Sequence, residues 1–436
     1  MTEAAIESRA ETGLSYGMRL LLTAALLGLY VLGYFVPLPG VVSDLPPELR
    51  HGSTSVMALG VTPLLIGFAL VEIFSLSTSP GRRIRARGEA GRATLNRAAL
   101  ATSLIVSALQ GVAISRLLLV MSQPNGLPVV ADPGPSFQIL VFVTLTAATA
   151  GIYLLGNLLT NVGIGNGFAL LIVTQILWWN RGFWLSWRSQ PLDSLTFELP
   201  GLALIAAVVI VLVWQFRKAD AAWTVAFPQG ILPALWGSFA VPYAMAFLPR
   251  TSSPWIAESI GTLVLIAAFS WLMYHLFSSR ARLEANLTEP EEVVGELAAE
   301  LRDRLKVSTV LLAGGGAALV AWAGFRPTPS TDSFSILTLA LLVATALDIR
   351  GQFRFFSRTG RTALLAQLDN VHFADRLALH LEEAEIDCLT RCYRFRSLYF
   401  FFGALFKIDV LVPAEDLERA RKVMLDLEGA REIGAF

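Results

Sequence analysis

Four side chains near the C-terminal end, His372, His380, Cys388 and Cys392, are of the types that ligate zinc or attack electrophiles. Zinc sites of this composition bring their ligands in tighter Cys or His pairs. On a strand, Cys388 and Cys392 share a face, which core packing explains, so no metal is expected. The patterns G-x-S-x-G, H-E-x-x-H and G-x-x-x-x-G-K-[ST] do not occur, so neither enzymatic chemistry nor a cofactor is implied. Three ionisable residues, Glu72, Arg116 and His275, fall inside otherwise apolar stretches, where such groups are functional candidates by default. Glu72 and Arg116 fall at opposite depths and do not form a pair; long stems let both reach an interface. His275 lies at the inner end of its stretch. A proton-coupled transporter needs a chain of such groups near the midplane, and none is read here. A different kind of chemistry, that of the backbone, is marked by G-x-x-P-x-L, which occurs at Gly60–Pro63 and again at Gly230–Pro233. Such segments interrupt helices and leave polar groups to be satisfied by neighbours or by a wet cavity.

The elements around these residues follow from composition. The chain has 436 residues, 54% hydrophobic and 16% charged, against about 25% charged in soluble domains. Net charge is zero, from 34 basic and 34 acidic residues, which leaves no electrostatic footprint for nucleic acid. Two cysteines exclude a disulfide-built scaffold. Apolar stretches near the ~20 residues needed to cross a bilayer occur at 18–36, 60–79, 98–120, 137–158, 167–181, 199–216, 229–248, 258–277, 307–325 and 333–349. The first is too long for a signal-peptide core and is read as a mature helix. With the N-terminus inside, cytoplasmic loops hold fourteen basic residues, six of them arginines between 82 and 97, and the opposite loops hold five. This bias orients the chain N-in and, after ten spans, C-in. The two G-x-x-P-x-L segments open the second span of each five-helix half with opposite polarity. Inverted halves with matching interrupted helices place the functional site at their interface.

The motifs VPLPG at 36–40, SVMALGVTP at 55–63, GEAGRATLNR at 88–97, LGNLLTNVGIGNGFALLI at 155–172, QGILPALWGS at 229–238, FSSRARLEANL at 277–287 and TLALLVATALDIRGQ at 338–352 fall in the order found in the SecY family. The resemblance covers about residues 15–358, and GIGNG is its most specific piece. It implies an hourglass pore for polypeptides, with an aliphatic ring at the waist formed by Val61, Leu65, Phe168, Ile172, Leu235 and Leu341. The last assignment depends on aligning Asp348; Ile336 or Leu337 is the alternative. An apolar constriction of this kind resists ions by dewetting. Phe168 is bulkier than the family's aliphatic residue and implies a tighter pore. Without the resemblance, plain bundle packing would account for these residues. Gate or hinge positions implied in the same way are Gly60, Pro63, Gly163, Gly165, Asn166, Gly167, Gly230 and Pro233. The resemblance also implies SecE- and SecG-like small subunits, and SecA or a ribosome docked through basic residues such as Arg217, Lys218, Arg280 and Arg282.

Three segments depart from the family. The stretch from Gly40 to Ala58, where the family carries a plug helix, is short and holds Pro46 and Pro47. The loop FRKADAAWTVAFP is also short. The segment TEPEEVVGELAAELRDRL is acidic and reads as an amphipathic helix with Thr288 as N-cap and Glu291 completing a capping box. These departures put motor docking in doubt. After Arg361 the composition becomes soluble, in the order strand (TALLAQL), helix (Asn370–Glu385), strand (IDCLTRCYRF), strand (KIDVLVP) and helix (PAEDLERARKVMLDLEG), weakly resembling a small bacterial signal-transducing domain. LYFFFGALF at 398–406 is expected in its core or on the bilayer surface.

The expected fold is therefore an all-α polytopic membrane protein. It has ten transmembrane helices in two inverted five-helix halves, plus a small cytoplasmic α+β domain. The domains are a cytoplasmic segment 1–17, a channel domain 18–360 and an α+β domain 361–436 with a regulatory role as one reading. The expected function is a protein-conducting channel in the bacterial inner membrane, acting on unfolded polypeptide. A non-conducting scaffold or sensor and a secondary transporter with inverted repeats are the alternatives.

Overall fold

The computed structural model describes residues 15–42, 44–46, 52–85, 89–123, 126–179, 336–359, 361–368, 371–394 and 407–432, with isolated helical positions between 181 and 268. The helices are α1 (Tyr16–Leu32), α2 (Thr62–Ser77), α3 (Ser79–Arg85), α4 (Glu89–Val120), α5 (Pro135–Val162), α6 (Gly167–Trp179) and α7 (Ile336–Arg358). After them come β1 (Thr362–Leu368), α8 (Val371–Glu383), β2 (Leu389–Arg391), β3 (Ile408–Pro413) and α9 (Leu417–Glu432). The chain divides into two compact units, one built on Thr12–Trp178 and the other chiefly on Trp179–Phe400 and Ile408–Phe436.

In the first unit three described helical stretches are long and apolar enough to cross a membrane: Tyr16–Phe35, Ala93–Val120 and Pro135–Val162. Thr62–Glu72 and Gly167–Trp179 are shorter apolar helices. The polarity of α1 is inverted relative to a soluble helix. Arg19, Thr23 and Tyr30 are buried, while Leu20, Leu21, Leu29 and Leu32 are exposed. A helix that hides its polar face and presents leucines outward is adapted to lipid.

Small residues let the helices approach, as packing in lipid requires. A Cβ on Gly67 of α2 would run into the Ser103 side chain of α4 and come within 2.5 Å of the Ser103 backbone nitrogen. Ser107 Oγ donates to the Leu145 carbonyl at 3.1 Å and shares a 2.8 Å hydrogen bond with Thr149 Oγ1, tying α4 to α5. The buried residues of α5 (Phe137, Val141, Leu145, Thr149, Ile152, Gly156 and Leu159) recur every three or four positions, which makes one helical face.

The boundaries differ from the sequence expectation in two places. The third span, expected at 98–120, belongs to α4, which starts at Glu89. At 1.5 Å per residue its 32 residues reach about 48 Å, longer than a ~30 Å hydrocarbon core. The span expected at 333–349 is the first part of α7, which runs on through Asp348, Gln352 and Arg354 to Arg358. The expected spans 199–216, 229–248, 258–277 and 307–325 lie outside the described residues, apart from isolated positions.

Between α1 and α2 the described residues contain no α-helix, only a short 3-10 turn at Gly33–Phe35, turns and bridges. Pro37 pairs with Ser55, and Val41 pairs with Val130 in the α4–α5 connection. Leu38 and Leu45 join Leu118, Val129, Val130, Phe137 and Val141 in one buried cluster.

In the second unit β3 is the central strand of an antiparallel sheet of order β1-β3-β2. Leu365, Val410 and Val412 pack with Leu377 and Leu381 of α8 and with Ala420, Met424 and Leu427 of α9. All six residues of β3 are buried. The strand expected over IDCLTRCYRF is confined to Leu389–Arg391. Cys388 precedes it, and Cys392 follows in a turn with φ of 68°, so the two cysteines do not share a strand face. LYFFFGALF lies outside the described residues.

Candidate functional site

The segment GIGNG joins α5 to α6, and polar side chains from two other places hold it. Thr23 Oγ1 of α1 donates to the Arg19 carbonyl at 2.8 Å and accepts the Ile164 amide at 2.9 Å. Arg19, 2% exposed, directs Nη1 to the Gly163 carbonyl at 3.5 Å. That carbonyl lies at the C-terminus of α5, where the helix dipole is negative and a cation is favoured. From α5, Thr160 Oγ1 donates to the Gly156 carbonyl and accepts the Gly167 amide, both at 2.8 Å.

Four of the five residues of the loop have separate reasons for their type. Gly163 ends α5, its amide bonding the Leu159 carbonyl at 2.8 Å, and an added Cβ would lie 2.7 Å from Thr23 Oγ1. Gly165 turns the chain at φ +71°, a region that favours glycine. Asn166 caps α6, its Oδ1 accepting the Phe168 and Ala169 amides at 3.0 and 3.1 Å. Gly167 lies against the Gly156 carbonyl, and an added Cβ would also lie 2.6 Å from Leu159 Cβ.

This loop sets the first residues of α6. The Phe168 ring fills the notch over Gly156, where an added Cβ would lie 2.5 Å from Phe168 Cε1. It also packs on Tyr153 with ring centroids 5.8 Å apart. The bulk of Phe168 is thus accommodated on α5 within its own unit. Ile172, one turn further along α6, is 5% exposed.

Val61 is 1% exposed and precedes α2, with Gly60 before it at φ +51° and Pro63 in the helix's first turn. Proline is accommodated there because the first-turn amides have no intrahelical acceptor. Val61 has no side-chain oxygen to cap α2, and its own amide donates to Gln175 Oε1 of α6 at 2.7 Å. Leu65 follows one turn on and is half-buried.

Val61, Leu65, Phe168 and Ile172 therefore belong to one unit, on two helices that Gln175 connects. Leu341, 1% exposed, belongs to α7 in the other unit. Leu235, Gly230, Pro233, Arg217, Lys218, Arg280 and Arg282 lie outside the described residues. Glu72 is half-buried and Arg116 exposed.

Sequence reasoning missed Arg19, Thr23, Thr160 and Gln175. Spacing offers a signal for the first two, since positions four apart lie on one face of α1.

In the second unit, Asp409 on β3 accepts from Gln367 Nε2 of β1 and from Arg391 Nε of β2, each at 2.9 Å. Arg391 and Asp409 are 6% and 2% exposed. Arg394 Nη1 reaches Asp348 Oδ1 of α7 at 3.1 Å, and an added Cβ at Gly351 would lie 3.8 Å from Leu389 Cδ1 of β2. His380 pairs with Glu383 at 2.9 Å. Among the described residues no three His, Cys, Asp or Glu side chains gather as a metal site. Burial, helped by the Glu382 and Asp387 carboxylates, pushes the Cys388 thiol up to about 11.

Residues 55–217 match the family model SecY. The chain is similar to the protein translocase subunit SecY of Rickettsia bellii, 29% identical over 182 residues, covering 41% of each chain. It is 26% identical over 181 residues to that of Aquifex aeolicus, covering 36% of this chain and 42% of that one. To that of Rickettsia typhi it is 25% identical over 236 residues, covering 48% of this chain and 53% of that one. The chain thus spans about half or less of the length of these curated relatives. A solved structure described as a protein-conducting channel is similar at a TM-score of 0.45 and 12% identity, covering 81% of this chain and 95% of that one.

Proposed function

We propose, from the match of residues 55–217 to the SecY family model, that this chain is the channel-forming subunit of a preprotein translocase, passing unfolded polypeptides across or into the membrane. The observation that carries this reading is the seating of α6. GIGNG is clamped by Arg19, Thr23 and Thr160, so that Ile172 and Phe168 enter the helix at fixed places while Gln175 holds Val61 beside it. A stiff apolar collar suits a channel that must resist ions yet offer a passing chain no hydrogen-bond partner.

In this proposal Val61, Leu65, Phe168, Ile172, Leu235 and Leu341 form the waist, with Phe168 braced by Tyr153 rather than narrowing the pore alone. Gly60 and Pro63, with Gly230 and Pro233 in the inverted half, start the paired gate helices. Ten helices cross a bacterial inner membrane with both termini inside. No bond chemistry takes place in the channel. Energy comes from a partner motor or ribosome docking through Arg217, Lys218, Arg280 and Arg282, and SecE- and SecG-like subunits clamp the halves. The segment after Arg361 regulates through its contact with α7.

The test is to trap a secretory precursor in transit and crosslink it from photoreactive residues at 61, 172 and 235. Adducts from these positions, and none from a lipid-facing position such as Ile139, are expected. No adduct at any of the three overturns the conducting reading. Recovery of SecE-like but not SecA-like partners on co-purification separates altered docking from a lost channel.

A further inference from the structure

We propose that Gln175 is a positioning residue: a latch between the start of α2 and the body of α6 that makes Val61 and Ile172 move as one block. The inference rests on the channel reading above and adds a residue that the pore ring itself does not contain. Gln175 is 5% exposed and uses both ends of its amide. Oε1 accepts the Val61 amide at 2.7 Å and the Tyr30 hydroxyl of α1 at 3.2 Å, and Nε2 donates to Thr62 Oγ1 at 3.4 Å. Tyr30 extends the network to the Tyr34 hydroxyl at 3.2 Å, and the Tyr34 ring stacks on Trp178, one residue-triplet along α6 from Gln175.

The chemistry of the position explains why the group is an amide. The residue at the N-cap of α2 is a valine, Val61, which is 1% exposed, so its amide lies where water cannot reach it. An unpaired buried amide is costly, and in an apolar surround it has few alternative acceptors. Gln175 supplies the oxygen from another helix, so withdrawal of α2 from α6 breaks the bond without a replacement. Gly60 makes the approach possible. Its φ of +51° brings the chain so close that an added Cβ would collide with Gln175 Oε1. Val61 is thus held by a contact directed at its own backbone, and Ile172 lies one turn from Gln175 on the same helix.

Three ring residues of this half are then fixed relative to one another: Val61 by the latch, and Phe168 and Ile172 by α6 itself. Opening of the pore would displace this block against the other half and leave its internal geometry unchanged.

Two measurements on the reconstituted full-length chain test this. The first is hydrogen exchange at the Val61 amide, read from overlapping peptides. Gln175→Met, which keeps volume but removes both hydrogen-bonding ends, is expected to speed exchange there roughly tenfold, the scale of one lost hydrogen bond. Exchange within 135–162 should be unchanged. The second is resting ion conductance, expected to rise in the same variant.

Unchanged exchange at Val61 overturns the latch. Faster exchange with wild-type conductance overturns its role in positioning the ring. If the Met variant does not accumulate, Gln175→Glu and Gln175→Asn replace it. Glu keeps the acceptor at full reach and is expected to retain Val61 protection, while the shorter Asn loses it. Equal protection in the two also overturns the latch. A wild-type chain that yields no precursor crosslinks sinks the channel reading separately, since the exchange measurement does not depend on transport.

Discussion

Gly167 and Asn166 do different work at the start of α6, and substitution should separate them. Ala at 167 would place a methyl against the Gly156 carbonyl and 2.6 Å from Leu159 Cβ, both rigid parts of α5. Overpacking of this kind costs about 1–3 kcal/mol. Asn166→Ala removes the cap, at about 0.5–2 kcal/mol. Gly151→Ala on α5 is the control, because an added Cβ there meets nothing within 4 Å. Denaturation in detergent should rank the three with Gly167→Ala and Asn166→Ala destabilised and Gly151→Ala unchanged or slightly improved. A second residue-scale expectation concerns Cys388, whose thiol is raised from 9.0 to about 11. Because the folded chain holds this proton more tightly than the unfolded one, the associated stability is complete below pH 9 and disappears as pH rises towards 11. At pH 8 the thiolate is about a hundredfold scarcer than in an ordinary thiol. Alkylation of the Cys388 peptide should be correspondingly slower in the folded chain than in the denatured one.

Among the elements, the sheet after α7 depends on a polar group in its middle. Asp409 of the central strand is paired on one side by Gln367 and on the other by Arg391, at matched positions of the register. Removing one member of a buried ion pair leaves the other uncompensated, at about 3–5 kcal/mol, whereas replacing both by apolar groups is far milder. Arg391→Leu should therefore expose residues 362–432 to protease, and the double variant Arg391→Leu/Asp409→Leu should recover most of the lost resistance. A double variant as sensitive as the single one would show that the pair is needed for more than charge balance. The order of elements here is readable from TALLAQL as a strand and from the helical spacing of Phe373, Leu377 and Leu381. Its strand limits are not, because the left-handed residue Cys392 ends β2 where the apolar pattern continues.

At the scale of the whole molecule, the zero net charge conceals an uneven distribution along the chain, with six arginines between 82 and 97 alone. A thiol at Arg87 should react with an impermeant reagent only from the inner face, and one at Asp132 only from the outer face; the reverse pattern would invert the proposed topology. The sequence by itself determined the apolar stretches, the start of α2 at its Gly-x-x-Pro segment and the place of the GIGNG loop before α6. Each of these depends on composition or on neighbours a few residues apart. Only the tertiary structure decided what holds those elements. The Arg19–Gly163 bond joins residues 144 apart and the Val61–Gln175 bond residues 114 apart. A buried arginine in an apolar helix and a glutamine in another carry no mark of their partners until packing removes water and leaves each polar group one place to bond.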